Sequence, residues 1–178
     1  SYVASRLLLQ KLTKEVLGRS TRPEERDAAY RESFREGIRR DVAAGLYDPR
    51  LGERFDLDRL AAALLPERDF DIQYLGMQTL YERYFLRRDG VPYELPQSFW
   101  MRVAMGLAVL EDEPTERAAA FYDLMSQRRF VPSTPTLFHA GTPHPQLSSC
   151  YLTTIDDQLQ HIFKCYADNS QLSKWSGG

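Results

Sequence analysis

The chain has 178 residues, 43% of them hydrophobic and 27% charged, enough for one ordinary domain with its own core. A formal net charge of -2, with Arg35, Arg39 and Arg40 interleaved among Glu32, Glu36 and Asp41, excludes an extended basic face of the kind that binds a nucleic acid polymer. No apolar run reaches the roughly 18 residues of a membrane span, and the two cysteines, Cys150 and Cys165, lack CxxC spacing, which argues against a disulfide framework or a metal site and favours a cytoplasmic protein.

Helical periodicity runs through most of the first 130 residues. Leu8, Leu12 and Val16 predict a helix from a Ser1 cap to Gly18, and Tyr30, Phe34, Ile38 and Val42 predict a second after Pro23, stopped by Gly45 and the YDPRLG turn. A short helix opens at Asp56, turns Leu57, Leu60 and Leu64 inward, and ends before Pro66. Ile72 to Arg83 reads as a fourth, on the spacing of Leu75, Thr79 and Leu80. Asp89-Gly90 within RYFLRRDGVPYEL is a preferred two-residue turn and predicts a small β-hairpin. Pro96 to Leu110 and Pro114 to Arg128 are two further packing helices, each opened by a proline at a permitted first-turn position.

From Val131 to Ile155 no formally charged side chain occurs, and four of the ten prolines lie there. Proline disfavours helix interiors and restricts its predecessor, so residues 131–147 are expected to be extended and turn-rich, anchored by Leu137, Phe138 and Leu147. SSCYLTTI reads as a short strand buried on both faces, and Asp156-Asp157 as the cap of a helix with Leu159, Ile162, Phe163 and Tyr166 on one face. Hydroxyls and main-chain amides grip a phosphate or sugar through short directional hydrogen bonds, which makes Thr134, Thr136, Ser148 and Ser149 candidate donors. Cys150 beside them could be nucleophile, reductant or proton donor, although taken alone a small buried hydrophobe is the better reading. No adjacent base supports a cysteine-protease arrangement, and His139 and His144 lack a second ligand nearby.

FVPSTPTLFHAGTPHPQLSSCYL followed by IDDQLQHIFKCYADNSQLSKWSGG closely resembles the large (catalytic, α) subunit of ribonucleotide reductase, most like the class I enzymes. SYVASRLLLQKL, FDIQYLGMQTLYERYFLR and ELPQSFWMRVAMGLA resemble that subunit's helical N-terminal region. The combination of TPTLF, G-T-x-x-P-Q-L-S-S-C and SK-x-x-GG is the most specific part. The resemblance implies a mainly α chain: a helical N-terminal region with a small hairpin over residues 1–130. Residues 131–178 would then begin the family's ten-stranded α/β barrel with a substrate loop, first strand and dimer-interface helix. The barrel is begun and not completed, so a fragment, a piece of a split subunit or the ordered part of a longer molecule is expected, without the family's ATP-cone domain.

The resemblance also assigns residues. Cys150 matches the cysteine that protonates the departing 2′-hydroxyl and becomes half of a redox disulfide, in a water-poor pocket shared with hydroxyl groups. Its partner cysteine would lie far downstream. Cys165 matches neither and is expected to be buried in a helix. Thr134 and Ser149 match positions that hold the substrate's diphosphate and ribose, and Gly177 and Gly178 a backbone strip against the base. Asp157 and Lys174 match an allosteric site for deoxynucleoside triphosphates or ATP with Mg.

The implied activity is reduction of ribonucleoside diphosphates to deoxyribonucleotides, with a radical from a small metal-containing subunit and electrons from thioredoxin or glutaredoxin. No cofactor is expected on this chain, which alone would be inactive. A cobalamin-dependent class II enzyme is the alternative within the family, and a non-catalytic helical nucleotide-binding or assembly module the alternative outside it. A rise of about 1.5 Å per residue would put Asp157 and Lys174 roughly 25 Å apart on one helix, too far for one nucleotide to touch both. Two such helices antiparallel about a two-fold axis would bring them together, with Asn169, Ser170 and Ser173 permitting close approach, so a homodimer through the 157–174 helix is expected.

Overall fold

A computed structural model describes residues 1–175. Gly177 and Gly178, expected against a nucleobase, lie outside the described residues. Helix α1 (Tyr2–Leu17) follows Ser1 and is stopped by Gly18, whose φ of 68° is the left-handed conformation that costs glycine nothing. After a 3-10 turn at Pro23–Glu25, α2 (Arg26–Ala43) buries Tyr30, Phe34 and Ile38, with Val42 at the edge of the same face. The YDPRLG turn contains a one-turn helix, α3 (Arg50–Glu53). Helix α4 (Leu57–Ala63) is capped by Asp56, whose carboxylate accepts from the Arg59 amide at 2.9 Å, and Leu57, Leu60 and Leu64 point into the core.

The expected helix over 72–83 is split into α5 (Tyr74–Thr79) and a π-helical turn at Leu80–Tyr84. Of the residues that marked it, Leu80 is half-buried and packs toward Leu9 of α1, whereas Leu75 does not. Ile72 and Met77 pack with Leu9 of α1, while Leu75 is 75% exposed. The segment carries two apolar stripes, and the one that meets α1 is the one buried. The hairpin forms as expected: β1 (Arg87–Arg88) pairs antiparallel with β2 (Val91–Pro92), and Asp89 and Gly90 have φ of 51° and 80°, as a two-residue hairpin turn with the strands' twist requires.

Helix α6 (Pro96–Ala108) is the centre of the fold, with every side chain from Pro96 to Met105 buried, and its main partner is α7 (Pro114–Ser126). Phe99, Met101 and Met105 join Leu12, Phe34, Leu60 and Tyr122 in one core cluster. One polar network crosses it. Asp69, in a 3-10 segment at Pro66–Asp71, accepts from Gln97 Nε2 at 2.8 Å, Tyr30 Oη at 3.1 Å and Arg26 Nη2 at 3.2 Å. Tyr122 Oη donates to Gln97 Oε1 at 2.8 Å, so elements from α2 to α7 share one hydrogen-bonded register.

Three expectations for the last third of the chain are corrected. Residues 131–147 are not wholly extended: α8 (Thr134–His139) forms there, because Pro135 sits in its first turn, where a missing N–H costs nothing. The expected strand at SSCYLTTI is absent; residues 148–155 are exposed, with Leu152 fully so, since no strand among the described residues offers them a ladder. The final helix, α9 (Leu159–Lys174), begins after Gln158, not at an Asp cap. The Asp156 amide instead donates to Nδ1 of His161 at 3.0 Å, so the bond across the helix start is made by a first-turn histidine and not by an aspartate side chain. No helix of the described residues is long and apolar enough to cross a membrane.

Candidate functional site

The uncharged segment is fastened to the helical body at one corner. A Cβ added to Gly106 of α6 would stand 2.2 Å from the Gly141 nitrogen and 2.6 Å from the Ala140 carbonyl carbon, so only glycine lets these backbones meet. One turn earlier, Arg102 is fully buried. Its Nε and Nη2 donate to Glu94 at 2.9 and 3.1 Å, its Nη1 to the Ala140 carbonyl at 2.6 Å, and Nη2 also to the Leu137 carbonyl at 3.2 Å. These carbonyls are among those a helix leaves open at its C-terminal end, here that of α8. Glu94 further accepts from the Leu86 amide at 2.9 Å and Tyr47 Oη at 3.3 Å. Burial opposes the Arg102 charge, and the Glu94 carboxylate more than offsets it, keeping the guanidinium pKa above its usual value.

Helix α8 is thereby set in place. Thr134 is its first residue, exposed, with Oγ1 3.2 Å from Tyr84 Oη, and the Tyr84 ring stacks on Phe138 at 4.9 Å. Thr136 is buried and donates to the Leu147 carbonyl at 3.0 Å, closing the loop between them, so its hydroxyl is structural. Burial, then the nearby Arg102 charge, holds the His139 imidazole below its ordinary pKa. His144 packs on Trp175 at 4.7 Å.

Beyond Leu147 the chain is open. Ser148, Ser149 and Cys150 are exposed, and Ser149 Oγ lies 3.9 Å from Cys150 Sγ. The expected water-poor pocket around Cys150 is not formed, because no described element packs over residues 148–152. Cys165 is buried as expected, its thiol donating to the Thr154 carbonyl at 3.5 Å, and Thr153 Oγ1 donates to Asn169 Oδ1 at 3.2 Å; together they lay this segment along α9. Asp157 is exposed just before α9, and Lys174, its last residue, reaches over Trp175 with Nζ 5.1 Å from the ring centroid.

Among the described residues, then, Thr134 meets Tyr84 and Ser149 meets Cys150, but no hydrogen bond joins the two pairs, and Asp157 and Lys174 stay at opposite ends of α9. Sequence reasoning missed Arg102, Glu94 and Gly106 as the groups that position α8. A lone arginine within the apolar run FWMRVAMG was the available signal for the first of these.

Residues 70–145 match the family described as "Ribonucleotide reductase, all-alpha domain". The whole chain is 48% identical to a protein of Chlamydia muridarum called "Ribonucleoside-diphosphate reductase subunit alpha", of which it covers 17%. It is 40% identical over its whole length to the like-named protein of Helicobacter pylori, covering 22% of it. Over 68% of the chain it is 45% identical to "Ribonucleoside-diphosphate reductase large chain" of Schizosaccharomyces pombe, covering 15% of that protein. The chain thus spans about a fifth or less of the length of these relatives.

Proposed function

We propose that the chain, which matches the ribonucleotide reductase all-alpha domain over residues 70–145 and reductase α subunits over its whole length, is part of the catalytic subunit of a ribonucleoside-diphosphate reductase. The observation that carries this reading is the 48% identity over all 178 residues, which takes in the hydroxyl-rich segment and Cys150. The relatives' names as ribonucleoside-diphosphate reductase α or large chains favour it over a cobalamin-dependent enzyme.

In this reading the C2′–OH bond of the ribose gives way to C2′–H. The Cys150 thiol protonates the departing hydroxyl, which leaves as water. Cys150 and a second cysteine outside these residues supply two electrons and two protons and end as a disulfide, which thioredoxin or glutaredoxin reduces again. A small radical-generating subunit initiates the step. Thr134 and Ser149 hold the diphosphate and ribose, with Gly177 and Gly178 against the base. The exposure of Cys150, with a hydroxyl 3.9 Å away, leaves its sulfur accessible to a substrate and to thiol exchange. In the complete subunit, Cys150→Ser should abolish thiol-dependent turnover while nucleotide binding stays near normal; turnover at the normal rate would refute the assignment.

The same reading makes α9 the contact with a second copy of the chain. Leu159, Phe163 and Tyr166 are 65%, 64% and 69% exposed and form an apolar face along this helix, whose one buried residue, Cys165, lies to another side. Two such faces antiparallel about a two-fold axis would set Asp157 of one protomer near Lys174 of its partner and form two equivalent sites for a deoxynucleoside triphosphate or ATP.

A further inference from the structure

A cleft of about 420 Å³ lies between α1, the turn after it and Phe70, far in sequence from the hydroxyl-rich segment. Arg6, Leu9, Gln10, Thr13 and Lys14 face it from α1, at the three- and four-residue spacing that puts them on one side of a helix. Ser20, Thr21, Arg22 and Pro23 close it from the turn, and Arg26 from the start of α2. Four cations line it and no Asp or Glu does.

Pairing separates these cations from their neighbours. Lys11 pairs with Glu15 at 3.6 Å, Arg19 with Glu25 at 3.7 Å and Arg26 with Asp69 at 3.2 Å, whereas Arg6, Lys14 and Arg22 have no carboxylate partner among the described residues. Phe70 gathers the charge: the Arg6 guanidinium carbon lies 5.4 Å and that of Arg26 4.3 Å from its ring centroid. Two guanidinium groups are so held on one ring at the cleft, which Ser20 and Thr21 also line. The volume lies within the roughly 300–1,000 Å³ range of small-molecule sites.

We propose that this cleft binds a phosphorylated small molecule carrying several negative charges. Three uncompensated cations call for a multiply charged anion, and guanidinium forks match phosphate oxygens two at a time, which favours a polyphosphate over a single carboxylate. Along α1, Arg6 and Lys14 are roughly 12 Å apart at about 1.5 Å per residue, a span that a polyphosphate chain bridges and a lone phosphate does not. The site is independent of the reading of Cys150.

The test uses the complete subunit, with inorganic triphosphate as probe and amide hydrogen exchange as readout. Triphosphate at about 1 mM should slow exchange over residues 13–26, with the apparent affinity falling about tenfold in Arg6→Gln or Lys14→Gln. These side chains are exposed, so neither change should disturb folding. Arg83→Gln, an exposed cation outside the cleft, should leave binding as it was. No slowing over residues 13–26, slowing unaltered in both cleft variants, or equal slowing by citrate would each overturn the proposal.

Discussion

Asp69 has no solvent-exposed side-chain surface, and its burial pushes the carboxyl pKa from 3.8 up to about 7, against the opposing pull of Gln97, Arg26 and Tyr30. Between those two values the folded chain binds a proton that the unfolded chain releases. The associated stability is therefore fully present below 3.8 and is lost as the pH rises through about 7. From about pH 5 to about pH 8 the urea midpoint should fall more in the native protein than in Asp69→Asn, whose amide does not titrate. Parallel pH profiles for the two proteins would show that Asp69 ionises normally despite its burial. The same residue decides how tightly Arg26 is held, and hence how α2 meets the 3-10 segment at Pro66–Asp71.

The junction of α6 with α8 shows how one buried cation can fix an element that propensity alone would leave marginal. Six residues are too few for a stable isolated helix, so α8 depends on what holds it. Arg102 binds two of its open carbonyls while Glu94 neutralises the charge. Replacing Arg102 by Met strands a buried carboxylate and frees both carbonyls. The cost expected from chemical denaturation is about 3–5 kcal/mol, and hydrogen exchange should rise first at residues 134–141. A loss well under about 1 kcal/mol would mean that the packing at Gly106 and Gly141 holds the corner without the ion pair. Most helices were legible in the sequence because apolar residues recur every third or fourth position: Tyr30, Phe34 and Ile38 are buried as their spacing requires. The hairpin was legible from Asp89-Gly90 for an equally local reason. What depended on distant partners was not. The choice between the Leu75 and Met77 stripes was made by Leu9, more than sixty residues away, and the bonds of Arg102 to Leu137 and Ala140 span 35 and 38 residues. The strand over 148–155 was read from composition, but a strand is specified by its neighbours, which the described residues do not include. The candidate site was legible as a set of residue types and not as a geometry, since no hydrogen bond among the described residues joins the Thr134–Tyr84 pair to the Ser149–Cys150 pair.

At the scale of the whole molecule, the two ends of the fold differ in how they bury apolar surface. From α1 to α7 the apolar faces close on one core around α6, whereas α9 keeps Leu159, Phe163 and Tyr166 in water and is tied to the chain before it mainly through Cys165, Asn169 and Trp175. Large side chains on one face of a helix gain roughly 25 cal/mol for each Å² of apolar surface they bury, which makes that face the economical place for a second protomer to dock. If it does, charge on the face should separate the protomers without touching the core, because Phe163 is exposed within the chain. Phe163→Asp in the complete subunit should move sedimentation from dimer to monomer while its circular dichroism stays that of the native protein. If Asp157 and Lys174 hold an effector as proposed, its binding should weaken in step, since at opposite ends of one helix they are too far apart to share a ligand. A monomeric Phe163→Asp subunit that binds deoxynucleoside triphosphates as tightly as the native protein would place the effector site within one chain and leave the apolar face of α9 to some other contact.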